Sequence, residues 1–194
     1  MNLETKAKQF ATKKHAGQLR KDDKTPYIKH PEAVVEIVRP IISNRDGRPR
    51  YPGMPVQEAL AAGWLHDVVE DTSTQLKEID EEFGHVVAEY VSFLTRSKGE
   101  DRDAYIQRIV YSAPMEVQLI KLADVLHNML TIRTIRDPIK KEKALNNKIN
   151  ECRRYFLPLA KRISLRDEPA ERLYERLQKQ YDMIRKEYIR ILGD

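Results

Sequence analysis

Apolar residues recur at helical spacing along most of the chain, and this periodicity is the strongest constraint on its fold. In the segment 31–41, for example, the apolar side chains lie three or four positions apart. No segment shows the sustained alternation of apolar and polar residues that marks a half-buried strand. The sequence therefore predicts an all-α fold.

Helix-breaking residues divide this pattern. Glycine and three prolines predict a loop over 43–55. Pro158 is expected to kink or split one of the later helices, because proline cannot donate the helical hydrogen bond. After a first helix that ends near Gly17, the predicted helices cover about 31–41, 56–71, 75–83, 86–95, 101–112, 115–136, 139–164 and 168–192.

Length and charge narrow the classes of protein that fit. A chain of 194 residues is long enough for one domain with a sizeable core. No apolar run approaches the roughly 20 residues needed to cross a bilayer, and the first residues lack the apolar core of a signal peptide. We therefore expect a cytoplasmic protein. The net charge of +5 comes from basic residues mixed with acidic ones, which argues against a nucleic-acid partner.

Charged and imidazole side chains occur where the pattern predicts burial. His66 and Asp67 follow the small and apolar run 59–65, and Asp124 ends a second apolar stretch. His30 directly precedes the start of another helix. Burying a polar group without a hydrogen-bond partner costs about 2–7 kcal/mol, and burying an unpaired carboxylate costs more. A divalent cation would compensate all of these groups together.

The spacing within the central segment adds two more carboxylates. His66 and Glu70 are four residues apart, as are Asp67 and Asp71, so each pair shares one face of a helix. The imidazoles of His30 and His66 and the carboxylates of Asp67 and Asp124 form a mixed nitrogen and oxygen ligand set. Such a set suits manganese, iron, zinc or cobalt better than calcium or magnesium alone. Such an ion activates a water molecule, and Glu70 and Asp71 could orient that water or move its proton.

These residues belong to segments that resemble a known family. The segments HAGQLRKDDKTPYIKHP (15–31), AAGWLHDVVEDT (61–72) and KLADVLHNM (121–129) are similar to the hydrolase domain of the Rel/SpoT alarmone enzymes and of the free-standing small alarmone hydrolases, which are HD-type proteins. FLPLAKRI (156–163) resembles the closing helix of that domain. The resemblance covers about residues 5–165. It implies one HD-domain helical bundle over 1–194, with 166–194 as a C-terminal helical extension.

The resemblance also implies an activity and a set of site residues. The family hydrolyses the 3′-diphosphate of guanosine 3′,5′-bis(diphosphate), the alarmone of the stringent response, or of its pentaphosphate relative, usually with manganese. A guanine nucleotide is then the expected small-molecule substrate. The roles that the resemblance implies are metal binding by His30, His66, Asp67 and Asp124, activation of water by Glu70 and Asp71, contact with the base and phosphates by Arg20 and Lys21, and contact with the ribose and phosphate by Asn128 and Thr131.

Three differences from the family concern the substrate rather than the metal. Relatives often carry an acidic Asp-Asp-Lys loop after the fifth helix, whereas this chain has the basic stretch 95–100. Its Arg96 and Lys98 could meet phosphates or face solvent. The loop 43–55 is longer than expected, and the C-terminal helix lies outside the resemblance.

Several alternatives remain open on the sequence alone. An HD phosphatase acting on a nucleoside monophosphate or NADPH would use the same metal chemistry. A non-catalytic nucleotide-binding module would lack one of the four ligands, and this chain has them all. His15 either supports the ligands or is a structural residue, and the sequence leaves the oligomeric state undetermined.

Overall fold

The computed structural model describes residues 1–193, and in that range the chain forms eleven α-helices and no β-strand. The all-α prediction is therefore confirmed. The helices are α1 (Leu3–Lys14), α2 (Lys29–Ile42), α3 (Val56–Leu65), α4 (Val68–Asp71), α5 (Leu76–Phe83), α6 (His85–Leu94), α7 (Arg102–Ser112), α8 (Met115–Thr131), α9 (Pro138–Glu151), α10 (Leu157–Ser164) and α11 (Glu168–Gly193).

The chain divides into two compact units. The first consists of Met1–Gln18 and Pro26–Ala123, and the second of Leu19–Thr25 and the described residues from Asp124 onward. The boundary falls inside α8, which runs through it as one continuous helix. The prediction that 1–194 form a single domain stays a prediction.

In the first unit, α3 lies at the centre and packs against α1, α2 and α6. Its residues from Ala59 to Leu65 are all buried, as their small and apolar composition predicts. Gly63 allows α2 to come close, since a Cβ atom there would lie 3.0 Å from Cγ2 of Val35. This close packing fixes the helix that leads into His66 against the helix that carries His30.

The segment around His66 and Asp67 differs from the single helix predicted over 56–71. The helix α3 ends at Leu65, and α4 begins only at Val68. Asp67 has φ −104° and ψ −5°, which departs from ideal helical geometry. Periodicity did not reveal this break, because the Asp71 N–H still bonds to the Asp67 carbonyl at 2.9 Å and keeps the four-residue spacing.

In the second unit, α11 packs along α9 and α10. Its apolar stripe is buried against them through Leu173, Leu177 and Ile184. A π-helical turn at Cys152–Phe156 separates α9 from α10 just ahead of Pro158. The predicted interruption is therefore present, because proline has no N–H for a regular helical bond and its ring crowds the preceding turn.

Among residues 1–193, no helix combines the length and the apolar character needed to span a membrane.

Candidate metal centre

Two histidines, one in α2 and one directly after α3, face each other inside the first unit. Nε2 of His30, in the first turn of α2, lies 3.3 Å from Nε2 of His66, which follows α3. Both residues are buried, with 1% and 2% of their surface exposed. Two ring nitrogens that approach this closely in a buried place need either a proton or a cation between them.

The hydrogen bond made by the other nitrogen of the His66 ring indicates whether Nε2 is suited to share a proton or to bind a cation. Nδ1 of His66 lies 2.8 Å from the Gly63 carbonyl oxygen, which can only accept a hydrogen bond. Nδ1 therefore carries a hydrogen, and Nε2 is the ring nitrogen that faces His30. A backbone carbonyl in this position is the usual partner of a metal-binding histidine.

Asp67 completes the cluster in this unit with a carboxylate. Its Oδ2 lies 3.1 Å from Nε2 of His66 and 3.4 Å from Nε2 of His30. Burial by itself would raise the pKa of Asp67, but the adjacent His66 and His30 rings outweigh it and hold that pKa well below its usual range. Two imidazole nitrogens and an ionised carboxylate directed at one point fit a divalent cation.

Tyr27 connects this cluster to Asp71. Its hydroxyl lies 2.7 Å from Oδ2 of Asp67 and 2.5 Å from Oδ2 of Asp71. Burial, followed by the Asp67 charge, raises the pKa of Tyr27, so the phenol keeps its proton and donates it to one carboxylate at a time. No local feature of the sequence marks Tyr27 as a site residue, although it lies within the segment 15–31 that carries the resemblance.

His15 supports Tyr27 from the other side. The two rings stack with centroids 4.6 Å apart, and Nδ1 of His15 lies 2.8 Å from Oε1 of Gln18. The Gln18 amide in turn donates to the backbone carbonyl of Asp71 at 2.8 Å. The structure thus favours a supporting position for His15, in contact with Tyr27 rather than with the cluster of His30, His66 and Asp67.

Glu70 lies on the solvent side of the cluster, one turn beyond His66. Its Oε1 accepts a hydrogen bond from the Arg96 backbone N–H at 3.1 Å. Partial burial of the carboxyl raises the pKa of Glu70, and the charges of Asp67 and Asp71 raise it too. The Arg96 N–H and Lys121 oppose that change without cancelling it. A carboxylate with a raised pKa is well suited to exchange a proton near neutral pH.

The second unit brings together four other residues that the sequence singled out. The Asn128 amide donates to Asp124, and its oxygen accepts from Nη2 of Arg20 at 2.9 Å. The same guanidinium nitrogen lies 3.4 Å from Oγ1 of Thr131. Asp124 is buried, with 6% of its surface exposed, so Asn128 joins a buried carboxylate to the arginine that is predicted to contact the base.

The loop Leu19–Thr25 positions Arg20 through its own hydrogen bonds. The Arg20 N–H donates to the Thr25 carbonyl at 2.8 Å. The Asp22 carboxylate accepts from the Thr25 hydroxyl and from the N–H groups of Lys24 and Thr25. The Thr25 hydroxyl is the main reason that the pKa of Asp22 falls to about 2. Lys21 is exposed at the tip of this ordered loop.

These features define a class of protein. The model of the HD domain family matches residues 7–165, and the chain belongs to that family. The predicted resemblance to HD-type proteins is thereby confirmed.

The chain is also similar to curated proteins of the alarmone hydrolase group. It is 36% identical over 131 residues to the Xenopus tropicalis protein named guanosine-3′,5′-bis(diphosphate) 3′-pyrophosphohydrolase MESH1, which covers 66% of this chain and 68% of that protein. It is 32% identical over 160 residues to the Haemophilus influenzae guanosine-3′,5′-bis(diphosphate) 3′-pyrophosphohydrolase, covering 78% and 21% respectively. The chain spans about a fifth of the length of the first curated relatives that it matches.

A solved structure has the same fold. It is described as a metazoan ortholog of SpoT that hydrolyses ppGpp, and it aligns with a TM-score of 0.63 at 23% identity over 96% of both chains. At this level of identity, the match supports the fold alone.

The contacts of Tyr27 predict a measurable effect on stability. Tyr27→Phe removes the hydroxyl that lies between two carboxylates, and hydrogen bonds to charged groups contribute about 1.5–3 kcal/mol. We expect the free energy of unfolding of the metal-free protein, measured in urea, to fall by an amount in that range.

Tyr111→Phe is the matched control for this substitution, because Tyr111 is exposed on α7. Its free energy of unfolding should change by less than about 0.5 kcal/mol, as for most surface substitutions. Equal stabilities of the two variants would show that the Tyr27 hydroxyl does not support the carboxylates.

Proposed function

We propose that this chain is a metal-dependent phosphohydrolase that removes the 3′-diphosphate from guanosine 3′,5′-bis(diphosphate) or its pentaphosphate relative, and so takes part in the stringent response. The observation that carries the proposal is the convergence of His30, His66 and Asp67 beside Glu70 and Asp71. The names of the relatives support the choice of substrate. A cytoplasmic location without nucleic-acid partners remains the prediction from the sequence.

The metal ligands that we propose are His30, His66, Asp67 and Asp124. The first three converge as described, and Asp124 is a buried carboxylate on α8. The mixed nitrogen and oxygen donors suit Mn²⁺. A bound divalent ion supplies Lewis-acid catalysis, because it acidifies a water molecule and polarises a phosphoryl oxygen.

Glu70 and Asp71 are proposed to manage the proton of the attacking water. Glu70 is held by the Arg96 N–H and has a raised pKa, so it can accept a proton and release it within the working pH range. Asp71 shares the Tyr27 hydroxyl with Asp67, which fixes the orientation of its carboxylate. Neither carboxylate needs to bind the metal for these tasks.

The substrate contacts are proposed for the second unit. Asn128 holds one edge of the Arg20 guanidinium, and a planar guanidinium is a suitable partner for stacking on a guanine base. Exposed Lys21 would neutralise phosphate oxygens, and Asn128 and Thr131 would contact the ribose and phosphate. Attack of water on the phosphorus bonded to the 3′ oxygen breaks that bond. From guanosine 3′,5′-bis(diphosphate), the products are pyrophosphate and guanosine 5′-diphosphate.

The metal site is tested by Asp67→Ala, which removes a ligand that touches both histidine rings. We expect the variant to lose the bound metal and the hydrolytic activity together, as measured by elemental analysis and by product release. Asp80→Ala is the control, because Asp80 is an exposed aspartate in the same unit. Full metal content in a folded Asp67→Ala protein, with folding verified by circular dichroism, would refute this ligand set.

Glu70→Gln tests the proposal that Glu70 carries a proton in catalysis without binding the metal. We expect unchanged metal content and a kcat lowered by about 10²–10⁴-fold, the usual contribution of a general acid–base group. Because the pKa of Glu70 is raised, its carboxylate takes up a proton at a higher pH than an ordinary glutamate does. As the pH is lowered, the kcat of the unsubstituted enzyme should therefore begin to fall at a pH above the usual glutamate pKa. This acidic limb should be absent in Glu70→Gln.

Glu81→Gln is the control for that experiment, since Glu81 is exposed on α5. It should retain the rate and the pH profile of the unsubstituted enzyme. A Glu70→Gln variant with an unchanged rate would remove Glu70 from the mechanism.

The substrate is tested by identifying the product with anion-exchange chromatography. After loading with Mn²⁺, the protein should convert guanosine 3′,5′-bis(diphosphate) to guanosine 5′-diphosphate and release pyrophosphate. Nucleoside monophosphates and NADPH serve as comparison substrates. Release of orthophosphate without pyrophosphate would instead indicate a phosphatase and leave the proposed metal site unaffected.

A further inference from the structure

The end of α6 is capped by side chains of α7. An α-helix leaves its last four carbonyl groups without helical partners. Arg108 donates to three of the four carbonyls at this end, two in α6 and that of the C-cap residue Thr95, and Tyr105 donates to the fourth. The acceptors for Arg108 are the carbonyl oxygens of Ser92 (3.4 Å), Phe93 (3.3 Å) and Thr95 (3.2 Å), and the acceptor for Tyr105 is that of Leu94.

The same guanidinium also fixes the loop that follows α6. Nε and Nη2 of Arg108 pair with the two carboxylate oxygens of Glu100 at 3.1 and 3.2 Å. The Glu100 carboxylate accepts in turn from the Ser97 N–H at 2.9 Å. Arg108 therefore contacts both ends of the stretch 95–100, at the Thr95 carbonyl and at Glu100. Its bidentate pairing with Glu100 cannot be reproduced by a lysine ammonium.

This loop contributes a backbone contact to the candidate active site. The Arg96 N–H, which directly follows the capped end of α6, donates to Oε1 of Glu70 at 3.1 Å. Thr95 is extended, with φ −89° and ψ 122°, and this conformation aims the next peptide group. The position of that N–H depends on the Thr95 carbonyl and on Glu100, and Arg108 binds both.

We infer that Arg108 is a positioning residue for Glu70: by capping α6 and pairing with Glu100, it holds the Arg96 N–H that orients the proton-carrying carboxylate. The inference rests on the proposed function of Glu70. The contacts described for Arg108 are with the end of α6 and with the Glu100 carboxylate. It acts on Glu70 through the loop 95–100.

The first experiment compares Arg108→Lys with Arg172→Lys. The control arginine also pairs with a glutamate, Glu168, but on the exposed surface of α11. We expect Arg108→Lys to lower kcat by about tenfold, because small displacements of a catalytic group are costly. In a Glu70→Gln background, the same substitution should lower kcat less than twofold. Equal losses in both backgrounds would overturn the inference, since Arg108 would then act independently of Glu70.

A second pair of variants tests the backbone donor itself. Arg96→Ala and Arg96→Pro both remove the side chain, but only proline removes the N–H. The extended conformation of Thr95 accommodates a following proline. We expect kcat for Arg96→Pro to be about tenfold below that of Arg96→Ala, given the cost of a misplaced catalytic group. Equal kcat values would show that the N–H is not needed and would overturn the inference.

The third measurement needs no substrate and separates this inference from the proposed function. The Arg96 amide proton is followed by nuclear magnetic resonance. Its resonance should move upfield in both Glu70→Gln and Arg108→Lys, and stay unchanged in Arg172→Lys. If the unsubstituted protein shows this response but hydrolyses nothing, the proposed function fails while the link from Arg108 to Glu70 stands. If the protein is active and Arg108→Lys leaves the resonance unchanged, the inference fails.

Discussion

The approach of two histidine rings in the protein interior is the constraint on which the rest of the structure depends. His30 and His66 direct Nε2 atoms at each other across 3.3 Å, with the Asp67 carboxylate against both. Such an arrangement is stable only when positive charge lies among the donors. The packing of α2 on α3 at Gly63, and the break in the helix after Leu65, serve to hold these donors in place.

The supporting residues form two separate sets around this cluster. On one side, Tyr27 and His15 tie the carboxylates of Asp67 and Asp71 to the end of α1. On the other, Glu70 is held by a loop that Arg108 anchors. The first set holds the carboxylates of Asp67, a proposed ligand, and of Asp71, a proposed proton carrier, and the second set holds Glu70, the other proposed proton carrier. A substitution in the second set should therefore change turnover and leave metal binding unaffected.

The sequence predicted those features that leave a local signature. The all-α fold followed from periodicity, and the interruption near Pro158 followed from the chemistry of proline. The pairing of His66 with Asp67 was conspicuous because both residues follow an apolar run. Membership of the HD family followed from three short segments and is borne out by the family match over residues 7–165.

The rest could not be predicted because it depends on contacts distant in sequence. Tyr27 resembles any amphipathic tyrosine until the fold brings Asp67 to its hydroxyl. Arg108 lies on an ordinary amphipathic helix, and its role arises only from the orientation of α7 beside the end of α6. The break in the helix before α4 was not predicted, because the four-residue spacing of the side chains is kept across it.

The central claim is that a divalent ion binds between the two histidine rings, and crystallography tests it most directly. Crystals grown with Mn²⁺ would be measured at the manganese absorption edge, where anomalous scattering locates the ion. We expect one strong anomalous peak within bonding distance of Nε2 of both His30 and His66 and of the Asp67 carboxylate. The absence of a peak at that position in fully loaded crystals, or a peak only at another site, would contradict it.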